Sequence, residues 1–208
     1  MPKATRRYKR KRRRGMKFLL WLVVLAIFAG SIVFFVTNYY EDTKDKFEKT
    51  SYPQKYSEYV EKSAEEYDLD PALVYAVIRT ESGFDPDAES SVGACGIMQM
   101  MPSSFEWLQE KRGCAGQYDE QDLFDPEICI DYGCYLLRYF YDLYGDERCA
   151  VAAYNAGFVV SDWLENPQYS SDGITLDNIP YPETSNYVDK VESAKEMYIK
   201  LYYSDNNI

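Results

Sequence analysis

The residues of this chain that could best support chemistry lie between Glu81 and Pro102, in the stretch ESGFDPDAESSVGACGIMQMMP. Glu81 ends an apolar helical pattern and shares one stripe with Val74 and Val77, at steps of three and four residues. A carboxyl group in that position is desolvated and lies at the negative end of the helix dipole, and both effects raise its pKa. Because a general acid must hold a proton at neutral pH, we predict that Glu81 is a catalytic acid/base and not a solvated surface glutamate.

Composition excludes several common chemistries. The chain contains no histidine, which removes Ser-His and Cys-His catalysis and the commonest zinc ligand. The five cysteines match no zinc spacing, so we predict neither a metal site nor a cofactor. In a domain outside the cell they could form two disulfides and leave one free thiol, or all could stay buried and reduced; the spacing does not choose between these. The cysteines are Cys95, Cys114, Cys129, Cys134 and Cys149.

The N-terminal region predicts a membrane anchor. Ten of the 23 Lys and Arg residues lie between Lys3 and Lys17. Phe18 to Val36 carries no charge and, at about 1.5 Å per residue, nearly spans a hydrocarbon core of about 30 Å. A basic flank favours the cytoplasmic side, so we predict a single pass with the N-terminus in the cytoplasm. The alternative is a cleaved signal peptide with a site near Ala29, which the apolar run beyond it disfavours.

The rest of the chain is acidic and predicted to lie outside the cell. After the basic cluster it holds 13 basic and 34 acidic residues, which argues against a nucleic-acid partner. We therefore predict four divisions along the chain. They are a basic cytoplasmic tail (1–17), a transmembrane anchor (18–37), a charged stalk (38–52) and a catalytic domain (53–208).

The catalytic domain is predicted to be all-α, with six or seven short helices, because no segment shows sustained period-two alternation. Asp-Pro pairs at Asp70 and Asp125 predict helix starts, and Gly145 predicts a helix end. Further helix signals are a capping-box pattern at Ser103–Glu106, a short helix through Ala150–Ala156 and an apolar stripe from Tyr187 to Leu201. A long loop is predicted from Ser161 to Pro182, and loops of that length are often functional.

Four short motifs occur in the acidic domain. They are Glu81–Phe84 (ESGF), Gly93–Gln99 (GACGIMQ) followed by Pro102, Ala153–Gly157 (AYNAG), and Pro182–Thr184 (PET) followed by Tyr187-Val188. In this order they resemble the catalytic domain of the soluble-lytic-transglycosylase (SLT) type, within the lysozyme-like superfamily. The likeness covers roughly Tyr56 to Tyr202. It implies an all-α, lysozyme-like fold of the goose-type/SLT kind.

The resemblance also implies a reaction on the peptidoglycan of a bacterial cell wall. The β-1,4 bond between N-acetylmuramic acid and N-acetylglucosamine is cleaved as the muramic 6-hydroxyl closes on its own anomeric carbon, leaving a 1,6-anhydro end. Glu81 would act first as acid and then as base, whereas ordinary glycosidases need two carboxylates. Two alternatives are a goose-type-like muramidase and a non-catalytic peptidoglycan-binding protein. The first is disfavoured by Ala94 and Phe105, which stand where goose-type lysozymes carry further aspartates; the second is disfavoured by an intact Glu81.

The same resemblance implies the residues that bind the glycan strand. Ser90 would hold an acetamido group, Gln99 would donate or accept hydrogen bonds, and Met101 would form an apolar wall. Tyr154 would lie near the catalytic acid and orient it. The other implied substrate-binding residues are Asn155, Glu183 and Tyr187, with a helix N-cap as the alternative role of Glu183.

Overall fold

The computed structural model describes residues 3–204, without the side chains of residues 3–19 and 22–24. The chain divides after Ser51 into two compact units, each of which is described by itself.

The first unit consists of one helix, α1 (Lys3–Ser51). The predicted stalk therefore continues as helix, and i,i+4 ion pairs such as Lys46–Asp42 at 2.8 Å support that segment. Within the part of the chain whose side chains are described, no helix is both long and apolar enough to cross a membrane. The side chains of the predicted basic tail (1–17), and those of residues 18, 19 and 22–24 in the predicted anchor, lie outside that part.

The second unit is all-α, as predicted. Its helices are α2 (Ser57–Glu66), α3 (Pro71–Glu81), α4 (Pro102–Lys111), α5 (Pro126–Tyr144), α6 (Glu147–Ala156), α7 (Val160–Leu164) and α8 (Pro182–Tyr198). Single 3-10 turns occupy Glu120–Phe124 and Gly157–Val159, and a π-helical turn, Ile199–Tyr203, extends α8. Between residues 3 and 204, extended pairing is limited to isolated bridges from Cys95 to Glu89 and to Met100.

Most helix ends follow the local signals of the sequence. The side chains of Asp70 and Asp125 accept hydrogen bonds from the first turns of α3 and α5, and each is followed by proline. Gly145 ends α5 with a φ of 69°, in the left-handed region that glycine adopts without strain.

Two local predictions were wrong. The capping box at Ser103–Glu106 does not form, because α4 already begins at Pro102, whose fixed φ suits a first helical position and needs no side-chain cap. The loop predicted from Ser161 is shorter than expected, because α7 continues to Leu164.

Helix α3 lies at the centre of the second unit. Every residue from Ala72 to Ile78 is buried, with α8 packed along one side. Helices α5 and α6 form the other main pair and α6 also packs on α8. Because α3 is enclosed in this way, even its last residue, Glu81, is half-buried.

Candidate active site

Glu81 is the last residue of α3 and its carboxyl group is largely buried. Burial raises the pKa of this group from an ordinary 4.5 to about 7. The Tyr187 hydroxyl opposes the shift by stabilising the charged form. At neutral pH the protonated and ionised forms are therefore present in similar amounts, which suits a group that must first give a proton and then take one back.

Tyr187 approaches this carboxyl group from α8. Its side chain is buried, and within the described chain its hydroxyl makes no hydrogen bond of standard geometry. Glu81 is nevertheless close enough for each group to shift the pKa of the other, and burial together with the Glu81 charge raises the pKa of Tyr187. The two side chains are thus neighbours that do not form a hydrogen bond of standard geometry, as is common in active sites without substrate.

Tyr154 lies near the same carboxyl group but donates its hydrogen bond elsewhere. Its hydroxyl donates to the backbone oxygen of Met98 at 3.0 Å. Burial and the nearby Glu81 charge raise its pKa, so it stays a neutral donor. Tyr154 therefore does not orient Glu81 through a direct hydrogen bond. It instead joins the loop that contains Met98 to the end of α6.

The loop between α3 and α4 is joined to the catalytic residue through Ser82. Ser82 directly follows Glu81 in the chain. Its hydroxyl donates a hydrogen bond to the backbone oxygen of Ile97 at 2.7 Å. No function was predicted for Ser82, although its place in the first motif was the available signal. Its role is to link the first motif to the second.

Ser90 and Gln99 are engaged within that loop. The Ser90 hydroxyl oxygen accepts from the Ala94 backbone N–H at 2.8 Å. The Gln99 side-chain nitrogen donates at 3.0 Å to the backbone oxygens of Ala88 and Gly96, and its own φ is 50°. Both residues thus shape the loop, and a contact with substrate would use the remaining hydroxyl hydrogen of Ser90 and the side-chain oxygen of Gln99.

Two glycines let the loop approach its neighbours closely. Gly96 has a φ of 75°, and a Cβ at this position would lie 1.9 Å from the backbone oxygen of Leu123. A Cβ on Gly133 of α5 would lie 2.3 Å from the sulfur of Met98. The Gly93–Gln99 motif is therefore held by backbone contact on one side and by Tyr154 on the other.

The other residues implied in substrate binding lie at the surface of helix ends. Met101 is 39% exposed and directly precedes α4. Asn155, at the end of α6, accepts a hydrogen bond from the buried Thr184 hydroxyl at 2.8 Å. Glu183 is exposed in the first turn of α8 and does not cap that helix, so its alternative role as N-cap was wrong.

No second carboxylate of the described residues contributes to the pKa shift of Glu81. Asp85, Asp87 and Glu89 are all exposed on the loop. Phe105 is buried against Tyr132, with ring centroids 4.6 Å apart, so that position belongs to the core. The arrangement can support acid and base catalysis by one glutamate.

The five cysteines are all unpaired, and four of them are buried. The sulfur of Cys129 lies 3.9 Å from the backbone oxygen of Cys95, beneath the loop, and burial raises the pKa of its thiol to about 12. The structure therefore agrees with the reduced alternative, with four thiols buried as expected and Cys114 half-buried.

Comparison with known proteins now decides the family. Residues 58–173, more than half of the chain, match the profile of the transglycosylase SLT domain. The chain belongs to this family. The family predicted from the four motifs is thereby confirmed.

Named relatives of this SLT-domain chain are lytic murein transglycosylases. A soluble lytic murein transglycosylase of Escherichia coli K12 is 31% identical over 157 residues, covering 74% of this chain and 24% of the relative. A membrane-bound lytic murein transglycosylase C of Actinobacillus succinogenes is 30% identical over 171 residues, covering 71% and 48%. This chain thus spans about a quarter to a half of the length of these two relatives.

Solved structures agree with the lysozyme-like helical fold expected of the SLT domain. The 70-kDa soluble lytic transglycosylase from Escherichia coli aligns with a TM-score of 0.65 and 28% identity, covering 74% of this chain and 25% of that one. A complex of the 70-kDa enzyme with bulgecin A aligns with a TM-score of 0.67 and 28% identity, covering 76% and 26%.

Proposed function

We propose that this SLT-domain protein is a peptidoglycan lytic transglycosylase that remodels the bacterial cell wall. The observation that carries the proposal is the isolated Glu81, whose largely buried carboxyl group has a pKa near 7, in a site built by the four motifs of the family. The names of the relatives add support, because they are called lytic murein transglycosylases.

The proposed reaction uses Glu81 twice. The protonated carboxyl group gives its proton to the oxygen that leaves the muramic anomeric carbon, and the glycosidic bond breaks. The muramic 6-hydroxyl then forms a bond to the same carbon and returns a proton to the Glu81 carboxylate. The glutamate ends in its starting state, no water is consumed, and one product carries a 1,6-anhydro ring.

Hydrolysis by a muramidase on the same fold is the close alternative. It requires a second group to activate water, usually a carboxylate. The exposed positions of Asp85, Asp87 and Glu89, and the apolar residues Ala94 and Phe105, favour the transglycosylase reaction.

Mass spectrometry of digested peptidoglycan tests the proposal. The full chain should release muropeptides whose muramic ends are lighter by one water than hydrolysed ends. Glu81→Gln should reduce release by about 10²- to 10⁴-fold, the usual contribution of an acid/base group. Glu89→Gln, on the same loop but exposed, is the matched control and should retain activity. Only reducing ends would establish the muramidase, and an inactive wild type that still binds peptidoglycan would establish a binding protein.

We also infer that residues 18–37 anchor the protein in the cell membrane, with the N-terminus in the cytoplasm and the acidic domain outside. The charge-free run from Phe18 to Val36 behind a basic cluster supports this topology, and one group of relatives is called membrane-bound. The full chain should stay with membranes after carbonate washing, and protease added to spheroplasts should digest the acidic domain. Replacement of Leu25 and Ile32 by arginine should release the protein; an unchanged distribution would contradict the anchor.

A further inference from the structure

The side chains of Thr184 and Asn155 join two of the four family motifs. The Thr184 hydroxyl donates to the side-chain oxygen of Asn155 at 2.8 Å, across 29 residues of sequence. Thr184 lies in the first turn of α8 and is 2% exposed, whereas Asn155 is exposed near the end of α6. A buried hydroxyl group thus holds one end of an amide at the surface.

The end of the Asn155 amide that stays free is its nitrogen. Among the residues whose side chains the structure describes, this nitrogen has no hydrogen-bond partner. An amide nitrogen carries two N–H donors and no acceptor. Asn155 therefore presents donors to the solvent, and these can bind an acceptor oxygen such as a sugar hydroxyl or an acetamido carbonyl.

The orientation of the amide depends on the Thr184 hydroxyl. The last torsion of an asparagine side chain has two broad wells, and rotation from one to the other exchanges the oxygen and the nitrogen. An exposed Asn155 without its partner would occupy both wells and would present the wrong atom for part of the time. The hydrogen bond selects one well before the substrate arrives.

The same face of α8 also serves the catalytic acid. Thr184 and Tyr187 are three residues apart, so they project from one side of the helix, and both are buried. Tyr187 lies beside Glu81, and Tyr154, the neighbour of Asn155, lies near the same carboxyl group. One turn of α8 therefore reaches the acid through one side chain and the AYNAG motif through the other.

We infer that Thr184 is a positioning residue, which holds the Asn155 amide so that its N–H groups bind an acceptor oxygen of the glycan strand. The inference rests on the proposed function, in which Asn155 contacts the substrate. Thr184 acts through Asn155 and not on the bond that is cleaved. The KM should therefore depend on the Thr184 hydroxyl, and kcat and its pH dependence should not.

Two substitutions of Thr184 separate positioning from packing. Thr184→Val keeps the shape and removes the hydroxyl group, whereas Thr184→Ser keeps the hydroxyl group and removes a buried methyl group. On soluble, uncrosslinked peptidoglycan strands, Thr184→Val should raise KM about 2- to 10-fold, the usual cost of ordering one side chain on binding. Thr184→Ser should keep the wild-type KM, although the lost methyl group lowers its Tm below that of Thr184→Val. The inference fails if Thr184→Val leaves KM unchanged or if Thr184→Ser raises it as much.

Substitutions of Asn155 test which atom of the amide faces the strand. Asn155→Asp has the same shape and still accepts from Thr184, but it replaces the N–H donors with an oxygen. It should raise KM at least as much as Asn155→Ala does. Adding Thr184→Val to Asn155→Ala should cause no further rise, because the hydroxyl then has no amide to orient. A further rise of the same size would mean that Thr184 acts independently of Asn155, contrary to the inference.

A matched control uses a threonine outside the four motifs. The Thr175 hydroxyl donates to the Asp172 carboxylate at 3.0 Å in an exposed segment. Thr175→Val removes a similar hydrogen bond and should leave KM at the wild-type value. A rise equal to that of Thr184→Val would show that the effect is not specific to the Thr184–Asn155 pair.

The same variants keep this inference distinct from the proposed function. A wild type that makes only reducing ends would contradict the proposed reaction, and the KM values of the variants would still test Thr184. For a wild type that binds strands without cleaving them, the dissociation constants of the variants should follow the order expected for KM. A wild type that makes anhydro ends, with a normal KM in Thr184→Val, would contradict the role of Thr184 alone.

Discussion

The Tyr187 hydroxyl faces the Glu81 carboxyl group from α8 and lowers a pKa that burial has raised to about 7. The same hydroxyl is buried without a hydrogen bond of standard geometry among the described residues. In the site without substrate, no hydrogen bond therefore offsets the free-energy cost of burying that hydroxyl. We infer that the Tyr187 hydroxyl tunes the pKa of Glu81 and does not stabilise the fold.

Tyr187→Phe should move the pH dependence of activity without destabilising the protein. The wild-type kcat/KM should fall as the pH rises through about 7, because the first step needs protonated Glu81. Removing the hydroxyl removes the group that lowers the pKa of Glu81, so the descending limb should shift to higher pH. The free energy of unfolding should change by less than about 1 kcal/mol, because no well-formed hydrogen bond is lost. A limb that stays in place would contradict the tuning role.

Tyr154→Phe is the matched tyrosine change with the opposite expectation. It removes the 3.0 Å hydrogen bond to Met98 and leaves that carbonyl unpaired. We expect the free energy of unfolding to fall by about 1–3 kcal/mol in chemical denaturation. Activity should fall through misplacement of the loop, with little movement of the pH limb. Unchanged stability would show that the bond contributes nothing to the position of the loop.

Glu81→Gln should stabilise the protein at high pH. The pKa of Glu81 rises from 4.5 to about 7 on folding, so the folded state holds the proton more tightly. Wild-type stability should therefore fall as the pH rises from about 4.5 to about 7 and then level off, with a total loss of roughly 3 kcal/mol. Glutamine carries no ionisable group and avoids that loss. In thermal unfolding, Glu81→Gln should be more stable than the wild type at pH 8 but not at pH 4. An equal difference in stability at both pH values would refute the link between Glu81 ionisation and stability.

The sequence was a good guide wherever function followed from local pattern. Helical spacing placed Glu81 on the buried stripe of α3, and the structure gives it the expected raised pKa. Asp-Pro pairs placed the starts of α3 and α5, because a side-chain cap and a proline act within one turn. These effects act between residues close in sequence, so tertiary packing does not alter them.

Residue roles that depend on long-range contact could not be predicted in the same way. Tyr154 donates to Met98, 56 residues away, and nothing in the AYNAG motif identifies that partner. The side chains of Ser90 and Gln99 form their hydrogen bonds within their own loop. The approach of Tyr187 to Glu81 depends on α8 lying along α3, which spacing within either helix does not reveal.

The cysteines should behave as independent thiols. All five are unpaired, and burial raises the pKa values of Cys129, Cys134 and Cys149. We expect the intact mass to show five free thiols and the unfolding midpoint to be the same with and without reductant. In the native state an alkylating reagent should label Cys114 first, because it is the one cysteine that is not buried. A midpoint that falls with reductant would instead indicate a disulfide.

Gly96→Ala should be far more damaging than Gly93→Ala, although both glycines have a positive φ in the same motif. At Gly93 (φ 84°) a Cβ meets open space, so the change should cost only the conformational strain, about 1–2 kcal/mol. At Gly96 (φ 75°) the Cβ would lie 1.9 Å from the backbone oxygen of Leu123, which cannot rotate away as a side chain could. The loop must then move away from Leu123, and the hydrogen bonds made by Gln99 and Ile97 would be disrupted. We expect Gly96→Ala to lose more than about 3 kcal/mol of unfolding free energy and most activity. Equal losses in denaturant titrations of the two variants would show that backbone strain, and not close packing against Leu123, accounts for the glycine at position 96.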